Sequence, residues 1–365
     1  HERGMAAALG AYAVGTAAAV GFAFAMSLER AWLTVALALL VPAIAAIYQR
    51  LPIPGIRRVA WVVAGVVLTR LVLNYRIFDY PDGALPGLGW VLYGYGIPMV
   101  AFALAAWQFR RQADDKLVRL LECGALAFGV MLVNFEIREL VAGGIAVADY
   151  SLLERSLQSL SWLSIAYLLY RRQAITPRFV QLWGWRILAG LAAAQILFLQ
   201  VLFGNPMAVM TPVGSWPIAN VLFLAYGAPA LFAIAFRRLA QSREDREARV
   251  VMATSGLSVL ALLFVEVSFE VRRAFHWPFL DNGYVADVWL EVGPTSDAEW
   301  YAYSVAWLLY AAVLLAIGIG RSIAALRYAS LALVMLTVAK LFLFDMSALT
   351  GLYRVASFLG LGLSL

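Results

Sequence analysis

Two near copies of a charged octapeptide lie at the ends of apolar stretches, VNFEIREL at residues 133–140 and VSFEVRRA at 267–274. A fainter copy, LNYRIFDY, occupies residues 73–80. Neighbouring carboxylates can do general acid–base chemistry. The structural alternative is that charges at the end of an apolar helix anchor it among lipid headgroups, with arginine stems reaching the surface. Which interpretation holds depends on the elements that carry the clusters.

Glu266 differs from the other charges because it lies inside an apolar stretch, LLFVEVSFEV, one helical turn before Glu270. Residues at i and i+4 share a helix face, so the two carboxylates would point the same way. Arg70, Gln195 and Lys340 interrupt apolar stretches at a similar depth. A charge facing lipid at mid-span costs about 2.5–3.5 kcal/mol, so these groups should face a bundle interior. An Arg70–Glu266 or Lys340–Glu266 pair that only fixes helix packing is the alternative to a working site.

The predicted site has two parts. The intramembrane polar or substrate-binding set comprises Arg70, Asn134, Glu136, Arg138, Gln195, Glu266, Glu270, Arg272, Lys340, Asp345 and Arg354. In the longest outer loop, residues 274–300, the mid-loop Asp287 and Trp289 are candidates for contact with a sugar-like ligand, whose rings stack on aromatic faces. Trp277 and Trp300 flank spans and fit an interfacial aromatic belt instead.

No catalytic residue is predicted, because no arrangement of His, Ser or Cys marks a nucleophile and no glycine-rich loop marks a phosphate site. Cys123 is the only cysteine, and His1 and His276 are the only histidines. A His or Cys metal cage is therefore not expected, and neither a metal nor a cofactor is predicted.

The elements that carry these residues are apolar helices. Hydrophobic residues make up 63% of the chain and charged residues 14%, whereas soluble domains average roughly 25% charged. Apolar stretches of about 20 residues are typical of membrane spans. Twelve are predicted, at about 5–27, 31–48, 59–77, 90–109, 117–138, 156–170, 180–202, 216–236, 250–271, 301–320, 328–345 and 352–365. The expected fold class is an all-α polytopic transmembrane helical bundle, in a piece of a longer protein.

Basic residues orient the predicted spans. Every second loop is basic, and these loops hold 17 of the 28 Lys and Arg residues. The positive-inside rule places them in the cytoplasm. Much alanine and glycine with only two lysines is typical of a GC-rich bacterial genome, so we expect a bacterial inner (cytoplasmic) membrane protein. The basic residues are divided among five loops and form no single stripe, so nucleic acid is not an expected partner.

Other fragments repeat as well. Tyr95-Gly96-Ile97-Pro98 returns as Tyr226-Gly227-Ala228-Pro229, and Leu168-Leu169-Tyr170 returns as Leu308-Leu309-Tyr310. The predicted unit is a helical hairpin, and paired hairpins form four-span blocks of the same orientation. The predicted divisions are two N-terminal spans at 1–58, four-span blocks at 59–172 and 180–320, and a C-terminal hairpin at 327–365 whose last span is truncated.

The C-terminal segment, RYASLALVMLTVAKLFLFDMSALTGLYRVASFLGLGLSL at 327–365, resembles the closing motif of a bacterial family of many-spanning membrane proteins, domain of unknown function 2339. The residues that fit the motif are Lys340, Asp345, Gly351, Leu352, Arg354, Ser357, Phe358 and Gly360. The resemblance implies a helical inner-membrane protein and no particular reaction.

The expected function is binding and translocation of a polar or lipid-linked cell-envelope component through an outward-facing polar cavity. One rival is a membrane-embedded transferase or hydrolase at the periplasmic face, using Glu266, Glu270 or the acidic loop. The other is a non-catalytic scaffold of an envelope complex. The expected partners are membrane lipids, a lipid-linked glycan or other envelope substrate, and partner membrane subunits.

Overall fold

A computed structural model describes residues 30–73, 89–147, 150–204, 206, 211–276 and 295–345, with a few single helical positions between 12 and 23. Helices dominate these residues, which contain no strand. The all-α class predicted from the apolar stretches is therefore confirmed for the described part of the chain.

The α-helices are α1 Arg30–Arg50, α2 Pro54–Leu73, α3 Trp90–Arg110, α4 Lys116–Ala142, α5 Leu152–Gln173, α6 Phe179–Ala194, α7 Ala228–Ala240, α8 Arg246–His276, α9 Asp297–Gly320 and α10 Ala324–Lys340. Three π-helical segments, whose backbone hydrogen bonds span five residues, adjoin them. The segment π1 (Gln195–Leu202) extends α6, π2 (Phe223–Gly227) precedes α7, and π3 (Leu341–Asp345) extends α10.

Eight helices among the described residues are long and apolar enough to cross a membrane, namely α1, α3, α4, α6 with π1, π2 with α7, α8, α9 and α10 with part of π3. The remaining two are more polar, since α2 carries Arg57, Arg58 and Arg70 and α5 is rich in serine and glutamine. The predicted stretches 5–27 and 352–365 lie mostly or wholly outside the described residues. The structure thus supports eight spans, and the count of twelve stays a prediction.

Side-chain caps fix where several helices begin. Ser151 Oγ accepts a hydrogen bond from Glu154 N at 3.1 Å, and Ser296 Oγ accepts one from Glu299 N at 3.2 Å. Both follow the Ser-x-x-Glu pattern, in which a side chain satisfies a backbone donor of the first helical turn. Helix α4 is capped at its C-terminal end by Gly143, whose φ of 76° lies in the left-handed region that favours glycine.

Contacts divide the chain into two compact units, residues 1–192 and 193–365. In the first unit, α3 packs against α1 and α4. Phe102 and Phe128 meet edge to face with ring centroids 5.5 Å apart in its core. Gly124 permits this approach, because a Cβ there would lie 2.5 Å from Phe102 Cδ1. The predicted block boundaries remain a prediction.

In the second unit, α8 packs against π2, α7 and α9, and α9 packs against α10. Ser330 Oγ of α10 donates to the Ala311 carbonyl of α9 at 2.8 Å. Tyr310 of α9 donates its hydroxyl to the Leu260 carbonyl of α8 at 3.0 Å. These contacts join α8, α9 and α10, which carry Glu266, Glu270, Arg272 and Lys340 of the predicted site.

Two aspartates cap the helices that carry the octapeptides. Asp115 Oδ1 accepts from Leu117 N and Val118 N, while Asp115 Oδ2 accepts from Arg57 Nε at 2.9 Å. Burial acts to raise the pKa of Asp115, but the hydrogen bonds from Arg57 and the backbone outweigh it, so the pKa is lowered. The pKa of Asp245 is also lowered, first by the Ala248 N–H and then by Arg243.

Candidate functional site

The VNFEIREL segment forms a buried ion pair between the end of α4 and the start of α5. Arg138 Nη1 lies 2.7 Å from Glu154 Oε2 and 3.0 Å from Glu154 Oε1. Arg138 Nε donates to the Ile145 carbonyl at 3.3 Å, and the guanidinium lies 3.8 Å from the centre of the Tyr150 ring. Both charged side chains are almost wholly buried. Ile145, Val147 and Tyr150, which lie between the two helices, thus all contact the Arg138 side chain.

The VSFEVRRA segment forms a matching pair between α8 and α9. Arg272 Nη1 donates to Glu299 Oε1 at 2.9 Å and to Glu299 Oε2 at 3.0 Å, and both residues are buried. Tyr303 donates its hydroxyl to Glu299 Oε1 at 3.0 Å. His276 Nε2 lies 2.8 Å from Glu299 Oε2 and also contacts Arg272 Nη1. Glu299 is thus surrounded by polar groups and bound on both oxygens.

In each unit, a tryptophan also donates a hydrogen bond between the two helices that the arginine–glutamate pair joins. Trp162 Nε1 donates to Asn134 Oδ1 at 2.9 Å, and Trp307 Nε1 donates to Ser268 Oγ at 3.0 Å. Each tryptophan follows the glutamate of its own pair by eight residues. The same polar contacts therefore join consecutive helices in both units.

The two Tyr-Gly-x-Pro fragments also make matching contacts. The ring centroids of Tyr95 and Phe135 lie 5.1 Å apart, as do those of Tyr226 and Phe269. The backbones differ, because Tyr95 lies inside the continuous helix α3 whereas Tyr226 lies in π2. The two fragments thus make similar ring contacts, although one lies in an α-helix and the other in a π-helical segment.

The Leu-Leu-Tyr triplets do not occupy corresponding places. The paired tryptophans Trp162 and Trp307 are 145 residues apart, whereas Tyr170 and Tyr310 are 140 apart. The Tyr170 ring packs 4.8 Å from Trp185, while the Tyr310 hydroxyl binds a carbonyl of α8. The sequence match at these triplets reflects similar apolar composition rather than equivalent positions.

Glu270 connects α8 to the segment that precedes π2. Its Oε1 accepts from Ile218 N at 3.3 Å and contacts Asn220 Nδ2, and its Oε2 accepts from Arg273 Nε at 2.8 Å. The corresponding residue of the first unit, Glu136, is half-buried. The hydrogen bonds of Glu270 give it a structural role.

Glu266 has a different environment from Glu270. It is 8% exposed, and within the described part of the chain neither of its oxygens has a hydrogen bond. The Gly227 N–H of π2 is close enough to interact with the carboxylate but does not form a hydrogen bond to either oxygen. In the first unit the corresponding residue is Leu132, which lies against Gly96. The second unit therefore has a carboxylate beside the corresponding glycine, where the first unit has an apolar side chain.

Lys340 is buried at the end of α10 and binds α9. Its Nζ donates to the Trp300 carbonyl at 2.7 Å and to Ser304 Oγ at 2.8 Å, and it lies 5.0 Å from the centre of the Trp300 ring. The predicted Lys340–Glu266 pair is thus not formed. The ammonium group instead joins the two helices through neutral oxygens of α9.

A cavity of about 360 Å³ lies beside Lys340 in the second unit. It is lined by Arg272, Thr295, Trp300, Tyr303, Trp307, Leu336, Ala339, Lys340 and Leu343. Three aromatic rings and four aliphatic or small side chains thus surround two cationic groups. The described lining contains no carboxylate.

The remaining predicted residues are not brought together by the described structure. Arg70 Nε donates to Thr34 Oγ1 at 2.8 Å, joining α2 to α1. Its pairing with Glu266 stays a prediction, because the two residues belong to different units. Gln195 is buried in π1. The side chain of Asp345, and Arg354, Asp287 and Trp289, lie outside the described residues.

A family model described as "Predicted membrane protein (DUF2339)" matches residues 1–365. The chain belongs to the DUF2339 family. No curated protein and no solved structure matches it. The family and the eight apolar helices together make this a multi-pass helical membrane protein.

The described residues of this DUF2339 chain hold no group of three or more His, Cys, Asp or Glu side chains that could hold a metal ion. The ion-paired arginines and glutamates are occupied by each other. Arg272, which is paired with Glu299, and Lys340, which is bound to α9, both line the cavity, and Glu266 lies beside π2.

The sequence interpretation missed Glu154 and Glu299, which neutralise the octapeptide arginines in this DUF2339 chain. A signal for them was present, because each stands at the fourth position of a Ser-x-x-Glu capping pattern before an apolar stretch. The tryptophans Trp162 and Trp307 carry a second signal, since each follows its glutamate at the same spacing.

Proposed function

We propose that this DUF2339 protein binds an amphipathic, negatively charged, lipid-like molecule in the cavity of its second unit. The observation that carries the proposal is the lining, in which Arg272 and Lys340 stand among Trp300, Tyr303 and Trp307. Apolar walls favour a hydrocarbon or ring system. The Arg272 guanidinium is already paired with Glu299, so the ammonium group of Lys340 is what favours an anionic end.

The cavity volume limits how much of such a molecule it can hold. Binding pockets for small molecules usually measure about 300–1,000 Å³, and this cavity, at about 360 Å³, is near the lower end. It suits a headgroup with the first part of a chain better than an entire lipid. A lipid-linked glycan or other envelope component would fit this description, with its glycan outside the cavity.

Translocation of that component, as expected from the sequence, is the process we propose the binding serves. Charges buried within apolar helices support it, because ionisable groups in membrane spans commonly mark substrate and ion pathways. We further propose a bacterial inner-membrane location with the basic loops in the cytoplasm. The support is the bias of Lys and Arg between alternate loops.

We also propose that twelve spans are built from repeated hairpins. The support is the set of matching contacts in the two units, above all Arg138–Glu154 with Arg272–Glu299 and Trp162 with Trp307. Their positions in the chain require the same order of helices in each copy. Two parallel copies keep the same orientation when each has an even number of spans.

The buried arginine–glutamate pairs support a second candidate, a non-catalytic scaffold that holds partner membrane subunits. Both pairs are buried and join consecutive helices. Polar clusters of this kind can serve helix packing alone. No observation on the described residues favours the transferase or hydrolase alternative, which stays a prediction.

Native mass spectrometry of the purified protein in lipid nanodiscs tests the binding function. We expect the wild-type protein to retain an anionic amphiphile and Lys340→Met to retain roughly tenfold less, because a charge-assisted hydrogen bond contributes about 1.5–3 kcal/mol. Lys116→Met removes the only other lysine, which is exposed at the start of α4, and serves as the matched control. Equal retention by all three proteins would favour the scaffold.

A further inference from the structure

We propose that Glu266 is a proton-binding site within the membrane, distinct from the cavity beside Lys340. The first observation is its burial. The side chain is 8% exposed and neither carboxylate oxygen has a hydrogen bond within the described residues. An ionised carboxylate without donors or a nearby cation is far more costly to bury than the neutral acid. The environment therefore accommodates the protonated form, and ionisation requires water or a cation to enter.

The second observation is that packing does not require an acid at this place. In the first unit Leu132 lies against Gly96 of the Tyr-Gly-x-Pro fragment, and a Cβ at Gly96 would lie 3.8 Å from Leu132 Cδ2. Glu266 is close to Gly227, the corresponding glycine of the second unit. Since a leucine fills the matching position, a purely structural role for Glu266 would be served better by an apolar side chain.

The third observation is the backbone beside the carboxylate. Gly227 ends the π-helical segment π2, whereas the matching Gly96 lies in the regular helix α3. Short π-helical segments within helices frequently occur at functional sites, because they leave backbone groups without their usual partner. The carboxylate and the altered backbone thus occur together in the second unit, and neither occurs at the matching place in the first.

The neighbouring titratable groups are already engaged. On π2, the Tyr226 hydroxyl donates to the Gln200 carbonyl at 2.8 Å. On α8 itself, Glu270 is bound by Arg273 and by the segment before π2. On α9, Tyr303 donates to Glu299 and Tyr310 donates to a carbonyl of α8.

Charged residues on the other elements of this unit are also distant or engaged. Helix α7 carries its charges, Arg237 and Arg238, in its last turn, three turns beyond Gly227. Arg272 is bound to Glu299, and Lys340 is bound to α9. A hydrogen bond to Glu266 from these described groups would require a rearrangement, so none of them competes for the proton of the acid.

A metal cation is a poorer occupant than a proton. Sodium-like and divalent cations need several oxygen ligands at once. The described residues contain no cluster of three or more His, Cys, Asp or Glu side chains, and Glu270 is committed to its own hydrogen bonds. A single carboxylate is sufficient for one proton.

Dicyclohexylcarbodiimide, an apolar reagent that modifies protonated carboxyl groups in membranes, tests the proposal directly. The protein is treated in nanodiscs at a series of pH values, and the modified residue is located by peptide mass spectrometry. We expect modification of Glu266 that falls as the pH rises. Glu299 and Glu270 in the same protein serve as internal controls and should remain unmodified, since both are hydrogen-bonded.

Two variants separate the proton site from a structural residue. Glu266→Gln should abolish modification at this position, and Glu266→Leu, which introduces the residue of the first unit, should unfold at the wild-type temperature or above. Failure of Glu266→Leu to fold would show that the carboxylate has a structural partner and would overturn the proposal. An unmodified Glu266 at every pH, or protection by sodium at constant pH, would overturn it equally.

The test does not depend on the cavity. Lys340→Met should leave modification of Glu266 unchanged. The ligand-binding proposal can therefore fail while the proton site stands, and the reverse also holds.

Discussion

At the scale of single residues, the two octapeptides explain why arginine recurs at the ends of apolar helices. Arg138 and Arg272 each lie beside a fully buried glutamate that follows in the next helix. Removing one partner of a buried pair leaves an uncompensated charge, whereas removing both leaves only a packing change. We therefore expect the effects of substituting the two partners of a pair on the free energy of unfolding to be strongly non-additive.

We expect Arg138→Met to lower the free energy of unfolding by about 3–5 kcal/mol, because it leaves the Glu154 carboxylate buried without its cationic partner. The double variant Arg138→Met with Glu154→Leu should recover most of this loss. Thermal unfolding in detergent, followed by tryptophan fluorescence, measures both. Additive effects of the two substitutions would contradict the coupling.

Removing either tryptophan hydrogen bond should lower the free energy of unfolding by less than breaking an ion pair. Trp162→Phe and Trp307→Phe each remove one indole N–H donor. Asn134 Oδ1 or Ser268 Oγ then loses that hydrogen-bond partner. Each should lower the free energy of unfolding by about 1–3 kcal/mol, the usual cost of leaving a buried polar group unsatisfied. The two losses should be similar, and a large effect of only one of them would argue against equivalent contacts in the two units.

At the scale of helices, the capping aspartates make the free energy of unfolding depend on pH. The pKa of Asp115 and that of Asp245 are lower in the folded protein than the ordinary value of 3.8. A lowered pKa contributes stability above the unfolded value, and that contribution is lost as the pH falls through the folded value. Both side chains are nearly half exposed to solvent, so each contribution is modest.

We expect Asp115→Ala to lower the free energy of unfolding by about 1 kcal/mol at neutral pH, as is typical for loss of an N-cap. The difference from wild type should shrink as the pH falls from about 5 towards about 3. Unfolding curves of the two proteins at these pH values measure it. A difference that persists unchanged in acid would show that the cap does not act through the ionised carboxylate.

The sequence predicted the helices well because apolar length and charge at helix ends are local properties. It also contained the capping patterns that identify Glu154 and Glu299 as helix starts. The partners of Lys340 were not predictable, since a backbone carbonyl and a serine hydroxyl carry no charge signal. Nor could the sequence show that Glu266 lacks hydrogen bonds, because that depends on Tyr226 being engaged by π1.

At the scale of the whole molecule, the charge bias gives a topology that can be tested in intact cells. In a Cys123→Ala background, a cysteine at position 243 should resist a membrane-impermeant maleimide, and one at position 284 should react. Permeabilised cells, in which both should react, control for access. The opposite result, labelling at 243 and none at 284, would reverse the proposed orientation.

The two capped helices are of unequal length, 27 residues in α4 and 31 in α8. Asn134 lies 19 positions after its capping residue Asp115, and Ser268 lies 23 positions after Asp245. The extra turn adds about 6 Å, so each helix matches a different thickness of hydrocarbon. Mismatch is relieved by tilting a helix or by thickening the bilayer around it. Thin and thick membranes would therefore hold α8 at different inclinations, and the inclination sets how deep the Glu266 carboxyl group lies below the nearer surface.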